Sequence, residues 1–556
     1  MLDSSAKLYA DRPAFMEKRN GDSKYYPITF REYKSDVDSL GTALISLGLK
    51  DKRVAIISEN RYKWAVSYLA VVNGTGVVVP IDKELPENEI ESLLRRAKVS
   101  AVIFSDSKRE QIENILPKMD IIEYYISMDA EEDTDKFLSF DALLAKGRKL
   151  LEEGNTEFTE AVIDPKVMSI LLFTSATTDT SKAVMLSHYN ICSNLMAMCK
   201  MIYVGPGDVF LSVLPLHHTY ECTCGFLCPV YRGCTIAYCE GLRHIGKNLK
   251  EARATVMLGV PLLYEAMYKR IWEQARKNNL DGKLRKAIKI NEFLKKFGID
   301  LSRKLFAKIH EEFGGRIKIF ISGAAGIDPD IAAGFRALGI SLVQGYGLTE
   351  CSPIVTLNRD IYFKDDAAGI PLQGVEIKID SPNDEGIGEV VVKGPNVMLG
   401  YYEDDYATAK ALQNGWFYTG DLGYIDEDGF LHITGRKKNV IVTKNGKNIY
   451  PEEIEGMLNK SPYIKESVVY GKNDSVYGDV VVSAIIVPDY DKFQEEAGGN
   501  QVNDDEVFKV IQREVKNVNK SLVTYKYIKD FKIRKEEFDK TTTRKIKRYL
   551  IKDEEI

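Results

Sequence analysis

Short runs of almost wholly apolar residues, separated by stretches of helical periodicity, constrain this chain more than any other feature. "RVAIISE" (53–59), "GVVVPID" (76–82) and "SAVIFSD" (100–106) do not alternate polar with apolar residues. A strand of that kind is buried on both faces. "KWAVSYLAVVN" and "ENEIESLLRRAK" lie between these runs and read as helices. The alternation predicts a parallel sheet with crossover helices. It resumes from 166 to 350 with "VMSILLF", "DVFLSVLP", "CTIAYC", "TVMLGVP", "KIFISGA" and "SLVQGYG". From about 369, "GVEIKIDSPNDEGIGEVVVKGP" changes the texture to short strands and turns, which predicts a β-rich subdomain. After "GRKKN" (435–439) comes a smaller mixed unit with "PEEIEGMLNK", "IKESVVYGK", "DVVVSAIIVPD" and a lysine-rich end. The fold class read from this pattern is α/β. A large N-terminal domain (1–435), of α/β layers with a β-rich subdomain, precedes a small α+β C-terminal domain (436–556). A chain of 556 residues is too long for one small core, and its length suggests about three to four folding units.

Composition narrows the function classes. The net charge is −5 and the pI is near 5.9, which argues against a protein that coats nucleic acid. The N-terminus "MLDSSAKLYADRPAF" lacks a basic start followed by an apolar core. The longest apolar stretch, "WAVSYLAVVNGTGVVVP", is too interrupted to span a bilayer. These features read as a cytoplasmic protein. Seven of the eight cysteines fall between Cys192 and Cys239, three of them in "CTCGFLC". The spacing lacks the paired C-x2-C of common zinc sites, so they read chiefly as small buried hydrophobes.

Two stretches carry polar chemistry. "LLFTSATTDTSKAVMLSH" (171–188) crowds Thr174, Ser175, Thr177, Thr178, Thr180 and Ser181 ahead of Lys182. It lacks the glycines of a Walker loop, and "AVML" after Lys182 reads as a strand, so the segment is a loop between two strands. Hydroxyls, backbone N–H groups and a lysine can cradle a phosphate there; a Thr-rich hairpin turn is the plain alternative. Segment 280–310 is strongly basic, with Leu284, Ile288 and Leu294 at helical spacing. It fits either a solvated helix face or a helix lying on an anionic membrane.

Further motifs follow in order: "LPLHH" (214–218), "GVPLLYE" (259–265), "ISGAAG" (321–326), "QGYGLTE" (344–350), "FYTGDLG" (417–423), "ITGRKKNVIVTKNGKNIYPEEIE" (433–455) and "TTTRKIKRYL" (541–550). With the loop, which resembles "TSG-TTG-x-PKG", they resemble the adenylate-forming superfamily of acyl- and aryl-CoA synthetases, luciferases and peptide-synthetase adenylation domains. The resemblance covers nearly the whole chain. It implies that Thr174, Ser175, Thr177, Thr178 and Lys182 contact ATP phosphates, with Gly323, Ala324 and Ala325 beside the nucleotide. It implies that Tyr346 offers its ring to adenine, Thr349 bonds a phosphate oxygen, and Glu350 holds Mg²⁺. Asp421 would accept the ribose hydroxyls and Arg436 would reach the ribose or α-phosphate. Lys438 would be the hinge of a mobile C-terminal lid, Gly446 would contact coenzyme A, and Lys545 would bridge the substrate carboxylate and the α-phosphate. His218 would line the acyl pocket and pantetheine tunnel, with a packed histidine as the alternative and His217 competing for the register.

The implied reaction is ATP-dependent activation of a carboxylic acid as acyl-adenylate, then transfer to coenzyme A. The extra helical segment 278–318 resembles that of long-chain fatty acyl-CoA synthetases. "TYECTCGFLCPVYRGCTIAYC" is apolar, without an obvious partner for a polar acyl group. Both point to a medium- or long-chain fatty acid. Three departures stand out: Ala176 and Asp179 replace glycines of the loop, and Arg544 replaces the glycine before Lys545. Asp179 would place a carboxylate near phosphate oxygens. That leaves open a weakly active or non-catalytic nucleotide- or acyl-binding relative, beside an enzyme that acylates a carrier-protein pantetheine.

Overall fold

The computed structural model describes residues 1–19, 22–174, 181–443, 447–474, 479–497, 502–541 and 545–551. Packing divides the chain into two compact units. One comprises Met1–Thr174, Lys182–Glu376 and Lys393–Gly415; the other takes Ile377–Val392 and the chain from Trp416 onward.

The repeated apolar runs form two sheets within the first unit. One sheet has Lys52–Ile57 between Gly76–Pro80 and Ala101–Phe104, all parallel. Val54, Ala55, Ile56 and Ile57 are wholly buried, as expected of strands covered on both faces. Met168–Phe173 continues this sheet beyond Gly76–Pro80 and turns back antiparallel into Ala183–Ser187, and Gly400–Tyr401 pairs with the latter. The other sheet contains Val209–Ser212, Thr235–Tyr238, Val256–Gly259, Ile319–Ser322 and Ser341–Gly347 in parallel. It also takes in the N-terminal hairpin Pro13–Lys18 and Tyr25–Thr29. The sequence reads as one recurring pattern, because burial looks the same in either sheet; partner choice is a matter of tertiary packing.

Local signals set the helices. Thr29 and Glu32 form a capping box that starts helix Phe30–Ser46. Ser187 and Asn190 form another at helix His188–Met198. Helix Asp281–Lys295 occupies the basic segment. Leu284, Ile288 and Leu294 are half-buried there, while Ile290, Phe293 and Phe297 are 57%, 60% and 67% exposed. The helix therefore carries a second apolar stripe that faces outward.

In the second unit, Glu376–Asp380, Gly388–Lys393, Trp416–Ile425 and Leu431–Arg436 form a sheet. A further sheet joins Ile464–Asp474 antiparallel to Asp479–Pro488, with Ile528–Ile533 parallel on its far side. Helix Asp504–Lys520 buries Val507, Ile511 and Val515, one stripe at the four-residue spacing of a helix. They share a core with Ile454 and Leu458 of helix Pro451–Leu458. No described helix in the chain is long and apolar enough to cross a membrane.

Candidate active site

The expected phosphate loop connects two antiparallel strands, with Phe173 opposite Ala183. Thr174 N–H donates to the Lys182 carbonyl at 2.9 Å and closes the base of the turn. Ser175, Ala176, Thr177, Thr178 and Asp179 lie outside the described residues, as does Gly446.

Lys182 leads to a residue that the sequence reading passed over. Its Nζ lies 4.5 Å from the centre of the Tyr401 ring. The Tyr401 hydroxyl donates to Glu350 Oε1 at 3.0 Å. Burial, and then the neighbouring Glu350 carboxylate, raise the Tyr401 pKa, so the phenol stays protonated and can donate. Lys182, Tyr401 and Glu350 thus form one connected group, drawn from a hairpin, an edge strand and the turn after Ser341–Gly347. Tyr401 had no motif to announce it; its signal was an aromatic pair, "GYYEDD", in an otherwise charged stretch.

Two buried asparagines hold this group in register. Asn190 Nδ2 donates to the carbonyls of Pro395 and Val397, both at 2.8 Å. Asn194 Nδ2 donates to the Ile354 carbonyl at 2.6 Å. The helix that follows the hairpin therefore pins both the segment leading to Tyr401 and the segment following Glu350. Met398 N–H closes the triangle on the Glu350 carbonyl at 2.8 Å. Buried polar groups such as these must find partners inside the protein, and here the partners are separate segments of the site.

Tyr346 is half-buried in Ser341–Gly347, opposite Thr356, and Thr349 lies in the short helical turn that carries Glu350. Gly323, Ala324 and Ala325 follow Ile319–Ser322. Ala324 adopts a left-handed φ of 71°, an uncommon conformation for a residue with a Cβ. A Cβ on Gly323 would lie 2.8 Å from the Tyr220 ring, so glycine is needed for that close approach. The Tyr220 hydroxyl donates to the Ile321 carbonyl at 2.9 Å.

The two histidines differ. His217 is largely buried, with Nε2 3.6 Å from Asp82 Oδ2 and without a hydrogen-bond partner. Burial, then Lys83, push its pKa down to about 3. It is neutral and packed, as a core histidine is. His218 is half-buried, its ring 4.2 Å from that of His217.

The segment after them, read as apolar from its sequence, holds one buried carboxyl. Residues Tyr220–Leu227 form a π-helix, and Glu221 within it is 1% exposed. Ser212 Oγ donates to Glu221 Oε1 at 2.7 Å, while Oε2 has no partner. Burial raises the Glu221 pKa to about 8, so it is mostly protonated at neutral pH. The composition of the segment hid a single carboxyl that desolvation keeps neutral.

In the second unit, Asp421 and Arg436 are cross-strand partners in register. Arg436 Nε lies 2.6 Å from Asp421 Oδ1, and Asp421 is 6% exposed. Lys545 belongs to the same electrostatic neighbourhood. The residue is exposed as a whole, yet desolvation of its ammonium, and then Arg436, lower its pKa, with Asp421 opposing. Two hydrogen bonds tie it to Thr541: Thr541 N–H donates to the Lys545 carbonyl at 2.8 Å, and Lys545 N–H donates to Thr541 Oγ1 at 3.2 Å. The Lys438 pKa is lowered by desolvation, then by Arg436 and Arg548. A cavity of about 400 Å³ lies among Asn439, Ile441, Val469, Tyr470, Gly471 and Arg548.

Each unit thus gathers polar groups that the motifs single out: a lysine and a carboxylate in one, joined there by the Tyr401 phenol, and a carboxylate, a guanidinium and an ammonium in the other. Residues 2–402 match the family described as AMP-binding enzyme, and residues 438–554 match the AMP-binding enzyme C-terminal domain. The chain belongs to the AMP-binding enzyme family, the adenylate-forming acid–thiol ligases. Fatty acyl-CoA synthetase A of Dictyostelium discoideum is 30% identical over 531 residues, covering 88% of this chain and 76% of that protein. Long-chain-fatty-acid–CoA ligase 1 of Homo sapiens is 30% identical over 504 residues, covering 85% and 71%. The fold is shared with the anthranilate CoA ligase AuaEII in complex with anthranoyl-AMP, at a TM-score of 0.78 and 19% identity over 100% of this chain and 96% of that one. It is shared equally with ATP-bound MatB from Rhodopseudomonas palustris, at 0.74 and 24% over 99% and 98%. Enzymes of this family work with ATP, Mg²⁺ and coenzyme A.

The donor set suits those groups. Among the described residues no cluster of three or more His, Cys, Asp or Glu could hold a metal ion. Mg²⁺ is commonly bound through one or two carboxylates plus substrate phosphates, and Glu350, steadied by Tyr401 beside Lys182, fits that pattern.

Proposed function

We propose that this chain activates a medium- or long-chain fatty acid with ATP and transfers the acyl group to coenzyme A. The observation that carries the proposal is the Lys182–Tyr401–Glu350 group at the base of the hairpin. It is a cation and a carboxylate held in one place at a loop of phosphate-binding character. The relatives named as fatty acyl-CoA synthetases and long-chain-fatty-acid–CoA ligases support the choice of acid. So do the apolar flanks of the segment after His218, where Glu221 is neutral near pH 7.

In the first half-reaction a carboxylate oxygen attacks the α-phosphorus of ATP, the bond to the bridging oxygen breaks, and pyrophosphate leaves. Thr174, Ser175, Thr177, Thr178, Lys182 and Thr349 bind the phosphates. Gly323, Ala324, Ala325 and Tyr346 bound the base, while Asp421 and Arg436 take the ribose. Glu350 would hold Mg²⁺, which supplies positive charge to the phosphate oxygens when bound. Lys545 stabilises charge between the carboxylate and the α-phosphate; fixed charges aimed at developing charge lower a barrier most where water is excluded. The C-terminal lid, residues 436–556, then turns about Lys438. The coenzyme A thiolate attacks the acyl carbon, the mixed anhydride opens and AMP leaves. Gly446 contacts coenzyme A and His218 borders the acyl and pantetheine path. No covalent enzyme intermediate is required.

The test is carboxylate-dependent ATP–pyrophosphate exchange across acids of increasing chain length, followed by thioester formation with free coenzyme A or a pantetheinylated carrier protein. Exchange confined to short or aryl acids would overturn the substrate assignment, and acylation of the carrier alone would overturn the acceptor. The charge of Asp179 supports a second reading, a slow enzyme. A carboxylate about 5 Å from a phosphate oxygen at an effective dielectric of about 20 costs about 3 kcal/mol. On that reading Asp179→Gly accelerates exchange; an unchanged or slower rate makes Asp179 a useful part of the loop.

A further inference from the structure

We propose that Cys199 and Cys228 are a modification site: a thiol pair that peroxide converts reversibly to a disulfide. None of the eight cysteines is joined in a disulfide, and these two sulfurs lie 3.5 Å apart. Cys199 caps the C-terminal end of helix His188–Met198, and Cys228 opens helix Cys228–Arg232. Closing the gap to the roughly 2.05 Å of a disulfide bond requires side-chain movement at the ends of two short elements.

The pair is asymmetric in the way such chemistry needs. Cys199 is partly buried, whereas Cys228 is 6% exposed. The hydrogen bond from Cys228 favours the Cys199 thiolate, as does the Arg232 guanidinium, against the opposing effect of burial. Cys228 keeps its proton, held up by the same hydrogen bond and by burial. The reachable sulfur is therefore the better nucleophile, and the buried one stands ready beside it. Nearby thiols compete poorly. Burial raises the pKa of Cys224 well above its ordinary value and that of Cys234 to about 12, and Cys234 Sγ is engaged with the Gly205 carbonyl at 3.3 Å.

The chemistry balances with a peroxide as oxidant. The Cys199 thiolate attacks one peroxide oxygen, the O–O bond breaks, and the leaving hydroxide takes a proton to become water. Cys199 is then a sulfenic acid. The Cys228 sulfur attacks the Cys199 sulfur, the S–S bond forms, the S–O bond breaks, and a second water leaves with the Cys228 proton. Two thiols have lost two electrons and two protons, and the peroxide has been reduced. The link would tie the helix that follows the phosphate hairpin to the end of the π-helix that carries Tyr220 and Glu221. None of the residues assigned to the ligase reaction takes part.

The experiment uses the full chain carrying Cys192→Ser, which removes the exposed cysteine that could link two copies. The protein is treated with stoichiometric hydrogen peroxide at neutral pH, alkylated, denatured and digested for mass spectrometry. The expected result is loss of two thiols per chain, recovery of a linked Cys199–Cys228 peptide, and return of both thiols with dithiothreitol. With Cys228→Ser, Cys199 should stop at the sulfenic acid and be trapped by dimedone. An unchanged thiol titre in the Cys192→Ser chain, or linked peptides dominated by other cysteines, would overturn the assignment whatever the variants do.

Discussion

His217 is a neutral imidazole in the folded chain and an ordinary one in the unfolded chain. Its pKa falls from 6.5 to about 3 on folding. The unfolded state therefore binds a proton that the folded state refuses between those values, and stability drops as pH falls through that window. One proton of difference is worth about 1.4 kcal/mol per pH unit. The native chain should accordingly lose stability between pH 6 and pH 4 more steeply than His217→Gln, by up to that slope, in urea unfolding at stepped pH. Parallel slopes would show that His217 is not desolvated as described. Asn190 is a second residue whose burial has consequences. Asn190→Ala removes the N3 half of the capping box of helix His188–Met198, in which Asn190 Oδ1 accepts from the Ser187 N–H at 2.9 Å, and two hydrogen bonds to the Pro395 and Val397 carbonyls. A loss of about 2–3 kcal/mol is expected from the capping-box bonds of one side chain and two further buried bonds. It is read from the urea midpoint, together with a raised Michaelis constant for ATP if the Tyr401 segment moves.

Among the elements, helix Asp281–Lys295 is distinctive for what it leaves outside. Lys283, Lys286 and Lys289 are exposed on it, and Ile290, Phe293 and, just beyond its end, Phe297 continue the outer stripe. Phe293 and Phe297 stack edge-on at 5.2 Å, and Arg285 covers Trp272 at 4.8 Å. The two rings pack on each other on a solvated face; an anionic interface would use both the rings and the lysines. Contact of this face with an anionic membrane is one of the two expectations for the basic segment, and vesicle sedimentation separates it from a solvated face. Sedimentation with anionic vesicles at low salt should weaken as salt rises. It should weaken further with Phe293→Ser and Phe297→Ser, and with charge reversal at Lys283, Lys286 and Lys289. Binding that ignores both sets of changes, or no binding at low salt, would leave a solvated helix.

The proposed activity of the whole molecule depends on residues distributed over both units. Lys545→Ala removes a positioned charge from the adenylation step, and such losses cost about 3–4 kcal/mol, a fall of several hundred-fold in ATP–pyrophosphate exchange. Thioester formation from supplied acyl-adenylate should be far less affected; equal losses in both half-reactions would contradict the role. On the proposed role the protonated ammonium is the active form; desolvation, then Arg436, lower the Lys545 pKa, with Asp421 opposing. Adenylation should therefore decline on the alkaline side at a pH below that of an ordinary lysine, and the decline should disappear in Lys545→Ala.

Strand-forming runs such as "RVAIISE" were legible because a strand buried on both faces is apolar whatever it pairs with. The family was legible because "YGLTE", "YTGDLG" and "GRKK" are specific short motifs that follow one another in a fixed order. Local rules also settled the hairpin around 171–188, where "AVML" excludes a helix after Lys182. Three things were decided only in the folded chain. The apolar runs sort into two sheets, since strand partners are chosen by long-range packing. Tyr401, Asn190 and Asn194 become site residues because their partners lie more than 50 residues away in sequence. His217 and Glu221 lose their ordinary charge, and Cys199 gains a partner in Cys228, because burial and contact belong to the tertiary structure and a residue's type does not carry them.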